Sequence, residues 1–306
     1  MPHVAAIDIG SNASRLLVKD TAGMEIGYDQ NIRNGQDFYT RTPLRLGMDV
    51  YTNGHITPSK TNALIQTLAQ YKAIMKEYGV TRFQACATAC LRDANNGTVV
   101  VEAVRQATGI TIDIISGQEE AALARFSYYA QPDVCKTGYL LFSDVGGGST
   151  DISFCHNQNE LYAHSFHVGS MRMNNHTQSV EEFQALTGKV SEFASRYGTF
   201  HIVGSGGCIH KICSMFAAGS QSDILQVTHL KAFYDKLKPL SVEQRMQQYG
   251  LKRDRAEIIV QSVSVFLNIA QAARAAAIQA PRIGVRDGII VRLLQYPDYG
   301  KSLVDA

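Results

Sequence analysis

Tyr139-Leu140-Leu141-Phe142-Ser143-Asp144-Val145-Gly146-Gly147-Gly148-Ser149-Thr150-Asp151 runs directly into Ile152-Ser153-Phe154. An apolar strand ends in an Asp, turns through three consecutive glycines and returns as a second strand. Three glycines are costly to order, because each loses more backbone freedom than any other residue. A plain turn needs one or two, so the run marks a backbone that a ligand approaches closely. Nearly half a chain earlier, His3-Val4-Ala5-Ala6-Ile7-Asp8-Ile9-Gly10-Ser11-Asn12 leads into Arg15-Leu16-Leu17-Val18. A strand, a Gly/Ser/Asn turn and a returning strand can wrap backbone N–H groups around a phosphate. An Asp at the strand end can hold a neutralising cation. Alone, Asp8 to Asn12 fits a tight hairpin as well as a phosphate loop. Its recurrence at Asp144 implies two similar lobes gripping one phosphorylated substrate from both sides.

The chain has 306 residues, enough for two domains, and an ordinary apolar fraction of 45%. A net charge of +2 gives no support for nucleic-acid binding. The N-terminus enters directly into a strand without a basic, cleavable segment, and no apolar run is long enough for a bilayer. A cytoplasmic location without membrane attachment is the expectation. The cysteines Cys86, Cys90, Cys135, Cys155, Cys208 and Cys213 fall within predicted strands and helices. Reduced, buried thiols suit such a placement. Cys208-Ile209-His210-Lys211-Ile212-Cys213 matches no zinc spacing.

Strand and helix patterns alternate throughout, which predicts an α/β fold. Thr57-Pro58 opens a helix that runs to about Glu77 and stops at Gly79. Val80 to Ala87 reads as a strand, Thr98 to Thr108 as a helix capped by Gly109, and Ile110 to Ile115 as a strand. Ser116 opens a helix reaching about Ala130. The second lobe repeats the scheme: the glycine hairpin, a strand from Leu161 to Phe166, a helix within Ser179 to Tyr197, and the strand Phe200-His201-Ile202-Val203. Arg253 to Ala277 reads as one long Ala-rich helical stretch. With no low-complexity linker in sight, the boundary is set near residue 125, giving lobes 1–125 and 126–306.

Further candidates lie outside the hairpins. Gly204-Ser205-Gly206-Gly207 ends a strand and begins a helix, which suits either an anion at a helix N-terminus or a simple strand-to-helix turn. Ser116 and Glu119 have capping-box spacing, so Glu119 is occupied at the helix start. Glu120 lacks that duty and reads either as a functional acid or as a solvated first-turn carboxylate. Arg92, just past a strand end, suits phosphate oxygens through its forked donors, or a surface salt bridge. Arg33, Arg41 and Arg45 in the polar stretch from Tyr28 to Thr52 form either a cationic track for a long polyanion or a solvated loop.

Taken jointly, Asp8 to Asn12, Ala87-Thr88 through Leu91-Arg92-Asp93-Ala94-Asn95, Ile115-Ser116-Gly117-Gln118-Glu119-Glu120-Ala121, Asp144 to Thr150, Gly204 to Gly207 and Val285-Arg286-Asp287-Gly288 resemble the exopolyphosphatase and guanosine pentaphosphate phosphohydrolase family. The length resembles its short, two-domain members. The resemblance implies two actin-like, ribonuclease H-like domains with a central cleft. It implies Mg²⁺-dependent hydrolysis of a terminal phosphoanhydride, of inorganic polyphosphate or of guanosine pentaphosphate, with a homodimer compatible with it. In that scheme Glu120 is the general base and Arg92 clamps the terminal phosphoryl group. Asp144 holds the metal with Asp8 and Asp151, and Ser11, Asn12, Gly146, Gly147, Gly148, Ser149, Gly206 and Gly207 bind phosphate. Asp151 stands where the family usually has Glu, and Ala13 where it usually has Ser. Those departures keep a polyphosphate- or nucleotide-binding sensor open as a third reading. A kinase or chaperone-like ATPase is disfavoured by the Ile115–Ala121 segment.

Overall fold

Strand β1 (His3–Ile9) pairs antiparallel with β2 (Ser14–Asp20), and Ile9↔Ser14 closes the hairpin over Gly10 to Ala13. β1 is covered on both faces, with Val4 to Ile9 all buried, so it reads as a nearly continuous apolar run. The computed structural model describes residues 3–21, 37–216, 223–296 and 299–303. Within them the chain continues with β3 (Phe38–Thr42), α1 (Leu46–Asn53), α2 (Pro58–Glu77), β4 (Val80–Ala87), α3 (Ala89–Asp93), α4 (Gly97–Thr108), β5 (Ile112–Ile114) and α5 (Gly117–Tyr129). The next elements are β6 (Tyr139–Val145), β7 (Thr150–His156), β8 (Asn159–Phe166), α6 (Ser170–Asn174), α7 (Val180–Tyr197), β9 (His201–Ser205) and α8 (Gly207–Phe216). Then come β10 (Ile224–Gln226), α9 (Val227–Leu237), α10 (Val242–Tyr249), α11 (Arg253–Ala256), α12 (Ile259–Ala272) and β11 (Ala277–Gln279). α13 (Val285–Gln295) and β12 (Lys301–Ser302) end the described chain.

Two units result, 1–134 with 283–306, and 135–282. The first unit's sheet runs β12-β4-β1-β2-β3, with β5 on β4; the second unit's runs β10-β11-β9-β6-β7-β8. Both contain an antiparallel three-strand meander whose first strand pairs parallel with a later strand. That later strand pairs parallel with another, β5 in the first unit and β11 in the second. The shared order is the ribonuclease H-like plan, so the chain is α/β with two actin-like units.

Local signals explain most boundaries. The Thr57 side chain accepts the Lys60 N–H, and Pro58 opens α2 at a position needing no N–H. Gly109 ends α4 in the left-handed region. At α5 both halves of the Ser116–Glu119 capping box are formed. The stretch read as one helix, Arg253 to Ala277, is instead α11, then α12, then a turn over 273–276 into β11. Alanine favours helix by default, but Ile278 in β11 is fully buried in the second sheet, and packing overrides propensity.

The division also differs from lobes of 1–125 and 126–306. α5 stays whole within the first unit, and the chain after Arg282 returns to it. There α13 packs on the sheet face carrying Val4, Ala6 and Cys86, through Ile289, Ile290 and Leu293, together with Leu123 of α5. Arg292 Nη2 donates to Gln84 Oε1 at 2.6 Å, and β12 pairs with the start of β4. The two helices touch at Gly288, where any Cβ would overlap the Leu123 carbonyl. A Gly288→Val variant is therefore expected to lose about 1–3 kcal/mol of stability through overpacking. Gly188, inside α7 with open space around it, should gain up to about 1 kcal/mol as Ala. Urea unfolding of the two variants checks the opposed signs.

Candidate functional site

In the second unit the glycine turn between β6 and β7 is held from behind. Gly146 N–H folds back to Ser149 O at 2.9 Å, closing the turn. The Gly146 carbonyl accepts from Ser170 N at 3.0 Å and from Ser170 Oγ at 3.1 Å. Gly147 O accepts from Met171 N at 2.8 Å, and Gly148 O from Arg172 Nε at 2.7 Å. A trans peptide is planar, with its C=O and N–H pointing in opposite directions. Capturing the carbonyls of 146, 147 and 148 therefore turns the N–H groups of Gly147, Gly148 and Ser149 away from α6, as an anion cradle requires. Gly169 makes this approach feasible, since a Cβ there would overlap Gly147. Gly146 was expected among the donors; its N–H is instead spent inside the turn.

The first unit repeats the device. Gly10 N–H donates to Ala13 O at 3.1 Å, while Ser11 O and Asn12 O accept from Gly47 N and Arg45 N, each at 2.9 Å. The outward N–H groups are those of Asn12 and Ala13. Replacing the family's usual Ser by Ala13 thus leaves the backbone donor in place. Ser11 turns its hydroxyl inward, 2.9 Å from Tyr51 Oη and hydrogen-bonded to the Cys90 thiol. Its side chain positions the loop from beneath. Arg41 lies across the strands from Arg15, Arg45 starts α1 at φ 54°, and Arg33 lies outside the described residues.

Arg92 and Glu120 meet in the same unit. Arg92 Nη1 donates to Ile115 O at 2.8 Å, which aims the guanidinium, and lies 3.7 Å from Glu120 Oε2. The side chains are 25% and 12% exposed, so this is a sheltered pair that water still reaches. Glu119 is tied to Ser116, with Ser116 N donating to its carboxylate at 2.9 Å. The two neighbouring carboxylates thus have the separate duties that the capping box implies.

The carboxylates assigned to a metal fall into two settings. Asp144 and Asp151 are directly paired across β6 and β7, on one face of the sheet. Asp8 carries its own cation, since Arg15 Nη1 lies 2.8 Å from Asp8 Oδ2. Among the described residues no group of three or more His, Cys, Asp or Glu is suited to a metal. Mg²⁺ binds through one or two carboxylates and completes its shell with water and phosphate oxygens, so Asp144 and Asp151 fit it. Gly206 sits at φ 113°, where a Cβ would lie 2.6 Å from Val145 O and 3.2 Å from Asp144 Oδ1. The fold requires glycine there to let β9 turn past Asp144 and Val145, and Gly207 then begins α8.

Arg15, Tyr51, Cys90 and Arg172 were not singled out from the sequence. Only Arg15 carried a signal, being the residue that a hairpin register places opposite Asp8.

The family model described as Ppx/GppA phosphatase matches residues 38–297. Exopolyphosphatase 1 of Mycobacterium tuberculosis is 29% identical over 171 residues, 56% of this chain and 47% of that protein. The chain thus spans about half the length of the curated relatives it matches first. A guanosine-5'-triphosphate,3'-diphosphate pyrophosphatase of Aeromonas salmonicida is 22% identical over 96% of this chain and 60% of its own. The crystal structure of an exopolyphosphatase from Cytophaga hutchinsonii aligns at TM-score 0.80 and 19% identity, covering 96% of this chain and 98% of that one.

The sheltering of Cys90 beneath Ser11 has a chemical consequence. Burial pushes the Cys86 and Cys90 thiols up to about 12, against the lowering effect of the Ser11 hydrogen bond on Cys90. At pH 8 both remain thiols and unreactive. Alkylation of the native protein should label exposed Cys135 first, with Cys86 and Cys90 modified only after denaturation. Mass spectrometry of the labelled peptides checks the order.

Proposed function

The chain belongs to the Ppx/GppA phosphatase family, and on that premise we propose that it hydrolyses the terminal phosphoanhydride of inorganic polyphosphate, releasing orthophosphate. The observation that carries this reading is the sheltered Arg92–Glu120 pair at 3.7 Å, in the same unit as the Asn12–Ala13 amide loop. Arg92 holds phosphoryl oxygens through its forked donors. Glu120, with Glu119 occupied by the helix cap, takes the proton from the attacking water. The N–H groups of Asn12 and Ala13 neutralise phosphoryl charge without moving as the reaction proceeds. Phosphoryl transfer asks mostly for positioning and charge neutralisation, which fixed amides and a guanidinium supply.

The second unit carries its own cradle at Gly147, Gly148 and Ser149. Asp144 and Asp151 beside it hold Mg²⁺, which when bound offsets phosphate charge. Asp8 is read as the carboxylate that fixes Arg15, not as a metal ligand. Guanosine pentaphosphate is the second substrate reading, favoured by the Aeromonas salmonicida relative, whose match spans 96% of this chain.

A phosphate-release screen across polyphosphates, guanosine pentaphosphate and ATP, with Mg²⁺ and with chelator, ranks the substrates. Glu120→Gln should lower turnover by roughly 10²–10⁴-fold while substrate binding persists. Unchanged turnover in that variant would remove Glu120 as the base. Binding with no release in the native protein would assign the chain to a sensor role.

A further inference from the structure

The geometry points to Arg172 as the residue that sets the third amide of the second unit's anion cradle, a positioning role that rests on the phosphate-binding reading above. The two glycine hairpins are built alike but held differently. In the first, the two carbonyls that set the outward amides are held by backbone donors: Arg45 N and Gly47 N engage the carbonyls of Asn12 and Ser11. Two outward N–H groups result. In the second, the backbone of α6 and the Ser170 hydroxyl reach only the carbonyls of Gly146 and Gly147. The third carbonyl, of Gly148, is reached by a side chain, Arg172 Nε at 2.7 Å.

That single bond decides the orientation of the Gly148–Ser149 peptide, and through it where the Ser149 N–H points. Glycine at 148 leaves this peptide otherwise free to rotate. A charge-assisted bond is about twice as strong as a neutral one, so a guanidinium is well suited to hold it. Arg172 is itself anchored: its own N–H lies 3.3 Å from Gly147 O, its carbonyl accepts from Thr177 N at 2.9 Å, and Nη2 sits 3.4 Å from His167 Nδ1. The residue is therefore held at its backbone and at Nη2 while Nε faces the loop. Arg172 lies behind the cradle, on the side opposite the N–H groups, and acts through the loop instead of touching the anion.

The test compares Arg172→Ala and Arg172→Lys with the native full chain. Amide hydrogen exchange over the peptide covering 146–149 and calorimetric affinity for inorganic orthophosphate are both read, and melting temperature checks that each variant is folded. Exchange at the Gly146 amide, whose bond to Ser149 O closes the turn, should speed up about tenfold or more in both variants, and orthophosphate affinity should fall about tenfold. Lysine keeps the charge but loses the donor at the Nε position, so it should behave like alanine. Full recovery by Lys would make general positive charge the cause and overturn the inference. Unchanged exchange and affinity in Ala would overturn it as well. If the native protein binds no orthophosphate, the phosphate-binding reading fails by itself, and the exchange arm still decides whether Arg172 fixes the loop.

Discussion

The planarity of the trans peptide is the constraint on which both hairpins depend. A glycine-rich turn can point its amides in many directions, and its sequence does not choose among them. The choice comes from behind, where donors capture successive carbonyls and so orient the N–H groups on the opposite side. The first hairpin is docked on the start of α1, the second on the start of α6. Each turn is also closed by its leading glycine, Gly10 to Ala13 and Gly146 to Ser149. The same solution in two units argues that the outward amides, not the turns as such, are what the architecture preserves.

Charge is handled differently in the two units. Asp8 meets Arg15 across the hairpin at 2.8 Å, so the first unit answers its own carboxylate. Asp144 and Asp151 stand directly opposite each other, and like charges directly across a strand pair are unfavourable. The proposed divalent cation would offset that repulsion and attract phosphate oxygens. The expectation that Asp8 assists Asp144 at a metal thus meets a physical asymmetry. Strand register, which sets an Arg against one Asp and an Asp against the other, is its source.

The alternation of elements, the Thr57-Pro58 start, the Gly109 stop and the Ser116 capping box were legible because each is a local signal with a local cause. The separation of Glu119 from Glu120 followed from the same box, and the structure adds Arg92 beside Glu120. The return of α13 to the first unit was not legible. Nothing within Val285 to Gln295 says which sheet it will cover; that depends on its fit against Leu123, Cys86 and Gln84 across a long separation in sequence. β11 was hidden for a related reason, since three residues in an Ala-rich stretch carry no period of their own. Tyr51, Cys90 and Arg172 were invisible because they act on the loops from other elements.

The glycines show where sequence reading reaches its limit. Gly147 and Gly148 read as ligand approach; in the structure their carbonyls are captured by Met171 and Arg172. Gly206, read as part of an anion site, is required by the fold because β9 passes the end of β6 there. Gly169 drew no attention in the sequence, yet it lets α6 reach the carbonyls that orient the cradle. A glycine records only that something comes close. Whether that neighbour is a phosphate or the protein's own backbone is decided by which atoms already fill the space, and at Gly169 and Gly206 those atoms belong to the glycine loop and to the strand that leads into it.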